Sequence, residues 1–429
     1  MLLFFFVREG VIMAKLYIEG GKRLSGKIKL QGAKNSALPL LAASILVDGT
    51  TVLHNCPELS DVGAAIKILK SLGFDCTQIN NDVFVTANMP LCDFVSPQLM
   101  REMRSSVVFL GAILARCGSA TITTPGGCEL GPRPIDMHLK AIKELGFSVE
   151  EYGGYIYCKR VKMPKEVVIT LDFASVGATE NIILASCISK SVVYLHNAAK
   201  EPEIKDLADF LNKAGAKVYG VGTDVVKIVG VDRLSSVEHT VIPDRIVAAT
   251  YMSAAAVTGG DIEITNVNYE HLRRIINSYS EMGCEIVFCE NSLRIRAPER
   301  LNRIKVTRST VYPGFPTDAG PLLVASLVKA NGTSTFIETI FENRFNYIDE
   351  LRRLGADIKV YNRVAIVEGV SKLKGANLCC TDLRGGAAEV VLALAAEGVT
   401  TIDKICHIER GYERIEETLG GVFANIKKE

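Results

Sequence analysis

Residues Pro125 to Pro134, PGGCELGPRP, set a cysteine, Cys128, in a glycine-rich run that leads into Arg133, Asp136 and His138. A thiol catalyses through its thiolate, which neighbouring cations or dipoles favour. The downstream arginine and the flanking glycines point to a mobile loop that presents a reactive cysteine to an anion. The opposing reading is a buried apolar filler, the habit of most free cysteines. A Pro-Gly-Gly approach makes a poor core element and leaves the two readings even. Lys34 and Asn35, in QGAKNSALPLLAAS, stand between a strand and a helix. There a lysine and the helix N–H groups can hold a phosphate together; taken alone, Lys34 reads as an exposed lysine. Arg101 and Arg104, in REMRSSVVFLGAILA, open a strongly apolar helix against its dipole, an arrangement an anion would relieve. Asp318, in VYPGFPTDAGPLLVA, reads equally as a functional acid or a helix cap. Asp382, Arg384, Arg410 and Arg414 lie in TDLRGGAAEV and HIERGYERIEE, with Arg384 at the head of an apolar helix. Guanidinium groups suit phosphate and carboxylate recognition. Several such cations at loop-to-helix junctions predict one shared anion site between two halves of the chain.

The elements that must position these residues follow from length and pattern. A chain of 429 residues exceeds one ordinary core, so two or three domains are expected. The formal charge of +1 excludes nucleic-acid binding by bulk electrostatics. The twelve cysteines are scattered, without paired zinc-ligand spacing or a secretory leader, which implies reduced thiols in the cytoplasm. No P-loop run and no clustered metal-ligand pattern is present. The opening MLLFFFVREGVI is too short in its apolar run for a signal or a membrane span. Met13 is therefore expected to be the true start, with residues 1–12 a weakly ordered extension.

Two interleaved patterns return about every 70 residues, six times each. In the first, a helix ends in Leu-Gly or its equivalent and turns into an alternating strand, at Gly73, Gly146, Gly215, Gly283 and Gly355, with a degenerate copy at Gly420. Each glycine is expected to supply the left-handed residue that ends its helix. In the second, an Ala-rich helix stops at small residues and continues as a β-branched strand, as in IILASCISKSVVYLHN and MSAAAVTGGDIEITN. Helices apolar nearly all round must be buried. The pattern predicts an α/β protein of two halves, each with three units, helices inside and sheets outside.

The motifs AKNSALPLLAAS, PGGCELGPRPIDMHL, SVGATENIILAS, NAAKEPEI, PDRI, FPTD, FENRF, TDLR and RGYERIEE occur in family order from about Met13 onward. Together they closely resemble the UDP-N-acetylglucosamine enolpyruvyltransferases of the enolpyruvyltransferase superfamily. The resemblance implies two inside-out α/β prisms built from six βαβαββ-like units, three per domain. It implies that the chain crosses between them near Lys34 and near Asp244. Residues 1–33 plus 244–429 would form a discontinuous first domain, and residues 34–243 a second that carries the Cys128 loop.

By the same resemblance, Lys34, Arg133 and Arg410, helped by Arg384, would hold the phosphate and carboxylate of phosphoenolpyruvate, and Asn35 would orient the sugar and the reacting centre. Asp318 would take the proton from the sugar 3-hydroxyl. Cys128 would donate a proton, form a phospholactoyl adduct and be the point of attack of fosfomycin. Arg104, Arg133, Pro134, Ile135, Asp136 and Met137 would meet the UDP-N-acetylglucosamine, together with Phe173, Ala174, Ser175, Val176 and the backbone at Ile340. Several members carry a lysine where this chain has Phe173. The implied reaction needs no metal or other cofactor, no nucleic acid and no membrane, and a monomer is the default. Competing readings are the sister enzyme acting on shikimate 3-phosphate, a non-catalytic paralogue, and RNA-end chemistry on the same repeat architecture.

Overall fold

A computed structural model of the chain describes residues 14–88, 91–124 and 134–429. The expected extension, the expected start at Met13, Cys128 and Arg133 lie outside the described residues.

Helices occupy the interior and sheets the outside. Lys34–Ala43, Phe109–Cys117 and Val176–Cys187 pack into one cluster of buried apolar side chains, which draws on residues from Ala37 to Val241. Arg245–Thr258, Gly320–Val328 and Leu383–Ala393 pack into a separate one, drawn from Leu16 to Leu30 and from Ile246 to Val422. All six are rich in Ala, Leu and Val with no polar face, so only a fully enclosed position satisfies them.

Each core is wrapped by three sheets of three or four strands among the described residues, and the second also carries the two-stranded pair Leu301–Asn302 and Ala330–Asn331. The four-stranded sheets repeat one plan, a parallel pair at one edge followed by two antiparallel neighbours. In one of them Glu166–Thr170 runs parallel to Val192–His196, which pairs antiparallel with Val225–Val229, itself antiparallel to Lys217–Tyr219. The three-stranded sheet Ser119–Thr123, Tyr155–Arg160, Phe147–Tyr152 keeps the parallel edge as a single bridge between Phe94 and Thr121. Alternate residues such as Val193 and Leu195 point inward and are buried, as a period-two strand requires. One sheet is completed from both ends of the chain. Leu16–Glu19 lies between Val399–Asp403 and Asn425–Lys428.

The repeat glycines behave as expected at five positions. Gly73, Gly146, Gly215, Gly283 and Gly355 have φ of 99, 97, 107, 92 and 98°. Gly420 does not follow; it ends the helix Ile415–Gly420 in helical conformation, and the left-handed residue is Phe423. A second regularity escaped the sequence reading. Asn55, Asn197 and Asn266, each just past a strand, are left-handed, and each donates its side-chain amide to a carbonyl of the adjacent crossing, from Val241, Leu171 and Leu30 respectively.

Two segments pass between the cores side by side. Ala33 N–H donates to the Ile242 carbonyl at 2.7 Å, Asp244 N–H to the Gln31 carbonyl at 3.1 Å, and Gly32 bridges Pro243. Gly32 must be glycine for space, since a Cβ there would lie 1.8 Å from the Asn55 carbonyl oxygen.

Candidate active site

Lys34 is the first residue of its helix and is buried, not the exposed lysine that its sequence context alone suggests. Its N–H reaches Asp244 Oδ2 at 3.3 Å, and its Nζ lies 3.1 Å from Asp61 Oδ2. The helix is held further by Ser36, whose hydroxyl donates to Asp206, itself 2.7 Å from His239. Asp61 comes from the first turn of Ser60–Ser71 and is almost wholly enclosed. Its two oxygens also take the Nε and one Nη of Arg410, at 2.9 and 3.4 Å. Arg410 ends the turn Ile405–Arg410, so Asp61 ties cations from the two cores together. Asn35 stands beside Lys34 and is half-buried in an otherwise buried helix.

Asp318 is not the helix cap that one reading allowed. It sits in the turn Thr317–Ala319 ahead of Gly320–Val328 and makes no cap hydrogen bond. Its carboxylate faces Arg344 at 2.8 Å and Arg384 at 3.4 Å, both buried. Arg384 is the second residue of Leu383–Ala393, whose cap is Asp382, accepting the N–H groups of Arg384 and Gly385 at 3.0 Å each. A buried guanidinium at a helix start opposes the dipole and needs an anion; Asp318 supplies it. Tyr412 also supports Arg384, with its ring under the guanidinium at 5.9 Å and its hydroxyl 2.8 Å from Thr250.

The electrostatics follow from this arrangement. Burial pushes the Asp318 carboxyl up, but Arg384 and Arg344, then Lys34 and Arg245, outweigh it and hold it well below the ordinary carboxylate range. Asp61 is likewise held low, against burial, by Lys34 and Arg410. Lys34 is lowered, first by burial and then by Arg384 and Arg410, with Asp61 opposing.

A second region gathers the expected nucleotide segments. Pro134 and Ile135 lead into Asp136–Glu144, where Asp136 and Met137 form the first turn. Ser175 caps Val176–Cys187, accepting from Ala178 N–H at 3.3 Å, with Phe173 exposed and Ala174 half-buried just before it. His138 joins the two, its Nδ1 2.9 Å from Asn181 Nδ2 and its ring against Gly177. Asn181 also reaches the Val107 carbonyl at 3.0 Å, in the segment Arg104–Val108. The Ile340 N–H is taken by Glu338 at 2.7 Å; the same carboxylate accepts from Ser309 and Thr317, fixing the loop beside Asp318.

Some expectations are corrected. Arg101 does not open the apolar helix, and Arg104 does so only through an intervening tight turn. Ser96 caps a separate short helix, Pro97–Glu102, and Arg101 is in its last turn, where a cation suits the dipole. Arg104 starts a tight turn and the apolar helix begins only at Phe109. Arg414 does not join the cation group; it is exposed and pairs with Glu58 and Glu417. Asp61, Arg344, Glu338 and Tyr412 were not picked out as site residues. Arg344 lay inside FENRF, but Asp61 had no signal, because its partners are 27 and 349 residues away.

Comparison with known proteins gives these groups a family. Residues 18–419 match the family described as EPSP synthase (3-phosphoshikimate 1-carboxyvinyltransferase). A curated UDP-N-acetylglucosamine 1-carboxyvinyltransferase 2 from Caldanaerobacter subterraneus subsp. tengcongensis is 47% identical over 96% of this chain and 99% of its own. This chain belongs to the UDP-N-acetylglucosamine 1-carboxyvinyltransferase family of enzymes. A UDP-N-acetylglucosamine 1-carboxyvinyltransferase from Geobacter metallireducens agrees at 43% over 97% of the chain and 99% of its own. The fold is that of the enolpyruvyl transferases. NikO from Streptomyces tendae, a solved enolpyruvyl transferase, superposes with a TM-score of 0.87 at 22% identity, covering 97% of this chain and 99% of that one. EPSP synthase from Acinetobacter baumannii gives 0.76 at 18%, covering 97% and 100%.

Proposed function

We propose that this enzyme moves the enolpyruvyl group of phosphoenolpyruvate to the 3-hydroxyl of UDP-N-acetylglucosamine, releases phosphate, and so commits the sugar nucleotide to peptidoglycan synthesis in the cytoplasm. Among the described residues no helix is long and apolar enough to cross a membrane. The observation that carries the reading is the pairing of Asp318 with Arg384 and Arg344 beside the Lys34–Asp61–Arg410 bridge. It offers one acceptor for a hydroxyl proton next to several cations for a phosphate and a carboxylate. The two separate cores support a division into residues 1–33 plus 244–429 and residues 34–243, with the site between them.

In the proposed reaction Cys128 delivers a proton to carbon 3 of phosphoenolpyruvate, which makes carbon 2 electrophilic. The sugar oxygen attacks carbon 2 as Asp318 accepts its proton, giving a tetrahedral intermediate. Return of a carbon 3 proton to the Cys128 thiolate and cleavage of the carbon 2–phosphate oxygen bond then give the enol ether and phosphate. Lys34, Arg133, Arg384 and Arg410 hold the anion and offset the charge that develops. Asn35 orients the sugar, and the segments around Pro134–Met137, Phe173–Val176, Arg104 and Ile340 receive the nucleotide sugar.

A carboxylate held as low as Asp318 is a weak base in the unliganded enzyme. An incoming phosphate and carboxylate would share Arg384, reduce its pull on Asp318, and raise that basicity when both substrates are in place. Purified enzyme should release phosphate from phosphoenolpyruvate with UDP-N-acetylglucosamine and not with shikimate 3-phosphate. The reverse preference would defeat the proposal.

A further inference from the structure

Asp61 is enclosed to 2% exposure between an ammonium and a guanidinium that belong to different cores. Both of its oxygens are used, Oδ1 by Arg410 Nε and Oδ2 by Arg410 Nη and Lys34 Nζ. A buried carboxylate is tolerated only when its lone pairs are met in this way. Lys34 faces Asp61 from Ser60–Ser71, Arg410 from Ile405–Arg410 and Arg384 from Leu383–Ala393; Asp244 takes its backbone N–H, and Asp318 lies within electrostatic reach. Of these acids only Asp61 makes an ion pair with Lys34 or Arg410 among the described residues.

We propose that Asp61 is a positioning residue for enolpyruvyl transfer: it gathers Lys34 and Arg410, one from each core, into a single receptor for the phosphoenolpyruvate anion. This rests on the reading of those two cations given above. An ammonium has three N–H donors and Asp61 takes one; on Arg410 it takes the Nε edge. The carboxylate therefore fixes both cations through one donor of Lys34 and the Nε edge of Arg410, and it favours the charged form of a buried lysine that lies next to two guanidiniums. Its neutral isostere should free Arg410 to swing from Lys34 and let Lys34 lose its proton at lower pH.

The test compares wild type, Asp61→Asn and Asp61→Glu in steady-state kinetics over a range of pH, with thermal unfolding alongside. Asp61→Asn should raise KM for phosphoenolpyruvate about tenfold or more and leave KM for UDP-N-acetylglucosamine within about twofold. The alkaline limb of kcat/KM for phosphoenolpyruvate should move to lower pH. Asp61→Glu, which keeps the charge but not the reach, should restore that limb while KM stays raised. The Glu variant can be read by itself if the Asn variant does not fold. An unchanged KM for phosphoenolpyruvate, or an equal rise for both substrates with the limb unmoved, overturns the role. Absence of turnover in the wild type would fail the functional reading instead. Calorimetry with inorganic phosphate would then test the receptor, since weaker binding to Asp61→Asn than to wild type is still expected and equal binding overturns it.

Discussion

Asp318 has the least ordinary setting of any proposed catalytic group, an acid between two buried arginines. A base works only when ionised, so activity falls as pH drops through its pKa. Arg344 helps hold that pKa down. Replacing it by Gln should raise the Asp318 pKa and move the acid limb of kcat/KM for the sugar nucleotide to higher pH, while Arg344→Lys should move it less. A pH–rate profile that stays in place would show that Arg344 only packs. Asp318→Ala, by contrast, should lower kcat far more than it changes either KM; equal losses would mark Asp318 as a binding residue. At Cys128 the proposed proton transfer separates charge from shape. Cys128→Ala should nearly abolish turnover, and Cys128→Asp should keep it while escaping alkylation by fosfomycin. Undiminished labelling of the Ala variant, read by intact mass, would remove the thiol from the mechanism.

At the scale of elements, the inner helices approach one another closely, and one contact shows how tightly. Gly111, in Phe109–Cys117, donates its N–H to Asn181 Oδ1 at 2.7 Å, and a Cβ on it would lie 2.3 Å from the Asn181 carbonyl oxygen. Gly111→Ala must push apart the helices that also carry His138's partner. A loss of about 1–3 kcal/mol is expected, measured by denaturant titration. An unchanged midpoint would mean that the pair yields without cost. The inner helices and the Leu-Gly endings were legible because each is a local pattern: an apolar run with no polar face, or a glycine where φ must be positive. The site was legible only in part. Lys34, Asp318 and Arg384 announce themselves as charges at or just before helix starts near glycine or proline, and Arg410 as a cation before a glycine that ends a turn. Asp61 and Glu338 do not, because what makes them important is a partner brought near by the fold. The error at Arg101 had a different, local origin, since a stop at Met103 decided which helix that arginine ended.

For the molecule as a whole, several buried acids run against the usual direction of pH dependence, Glu180 and Glu389 among them. Glu389 is fully enclosed, and neither of its oxygens has a hydrogen-bond partner among the described residues. Burial, then Glu350 and Asp382, push its pKa up to about 8. A raised folded-state value contributes stability that is present below the unfolded carboxyl range, near pH 4, and is lost as pH climbs through about 8. Glu389→Gln removes the proton to be lost, so its melting temperature should exceed that of wild type at pH 9 by several degrees more than at pH 5. A constant offset would show that Glu389 is not protonated in the fold. The shared sheet has a mechanical consequence of another kind. Leu16 pairs with Lys428 and Glu19 with Asn425, and Lys15 and Glu429 bond to each other at the same end of the ladder. Traction on residues 15 and 429 therefore opens that ladder like a zipper, one rung at a time, instead of shearing every rung together. The core from Ala37 to Val241 is shielded from this load, because its entry and exit strands are tied at Ala33–Ile242 and Gly32–Pro243. Under force the protein should come apart in two steps, with the half that holds residues 15 and 429 yielding first.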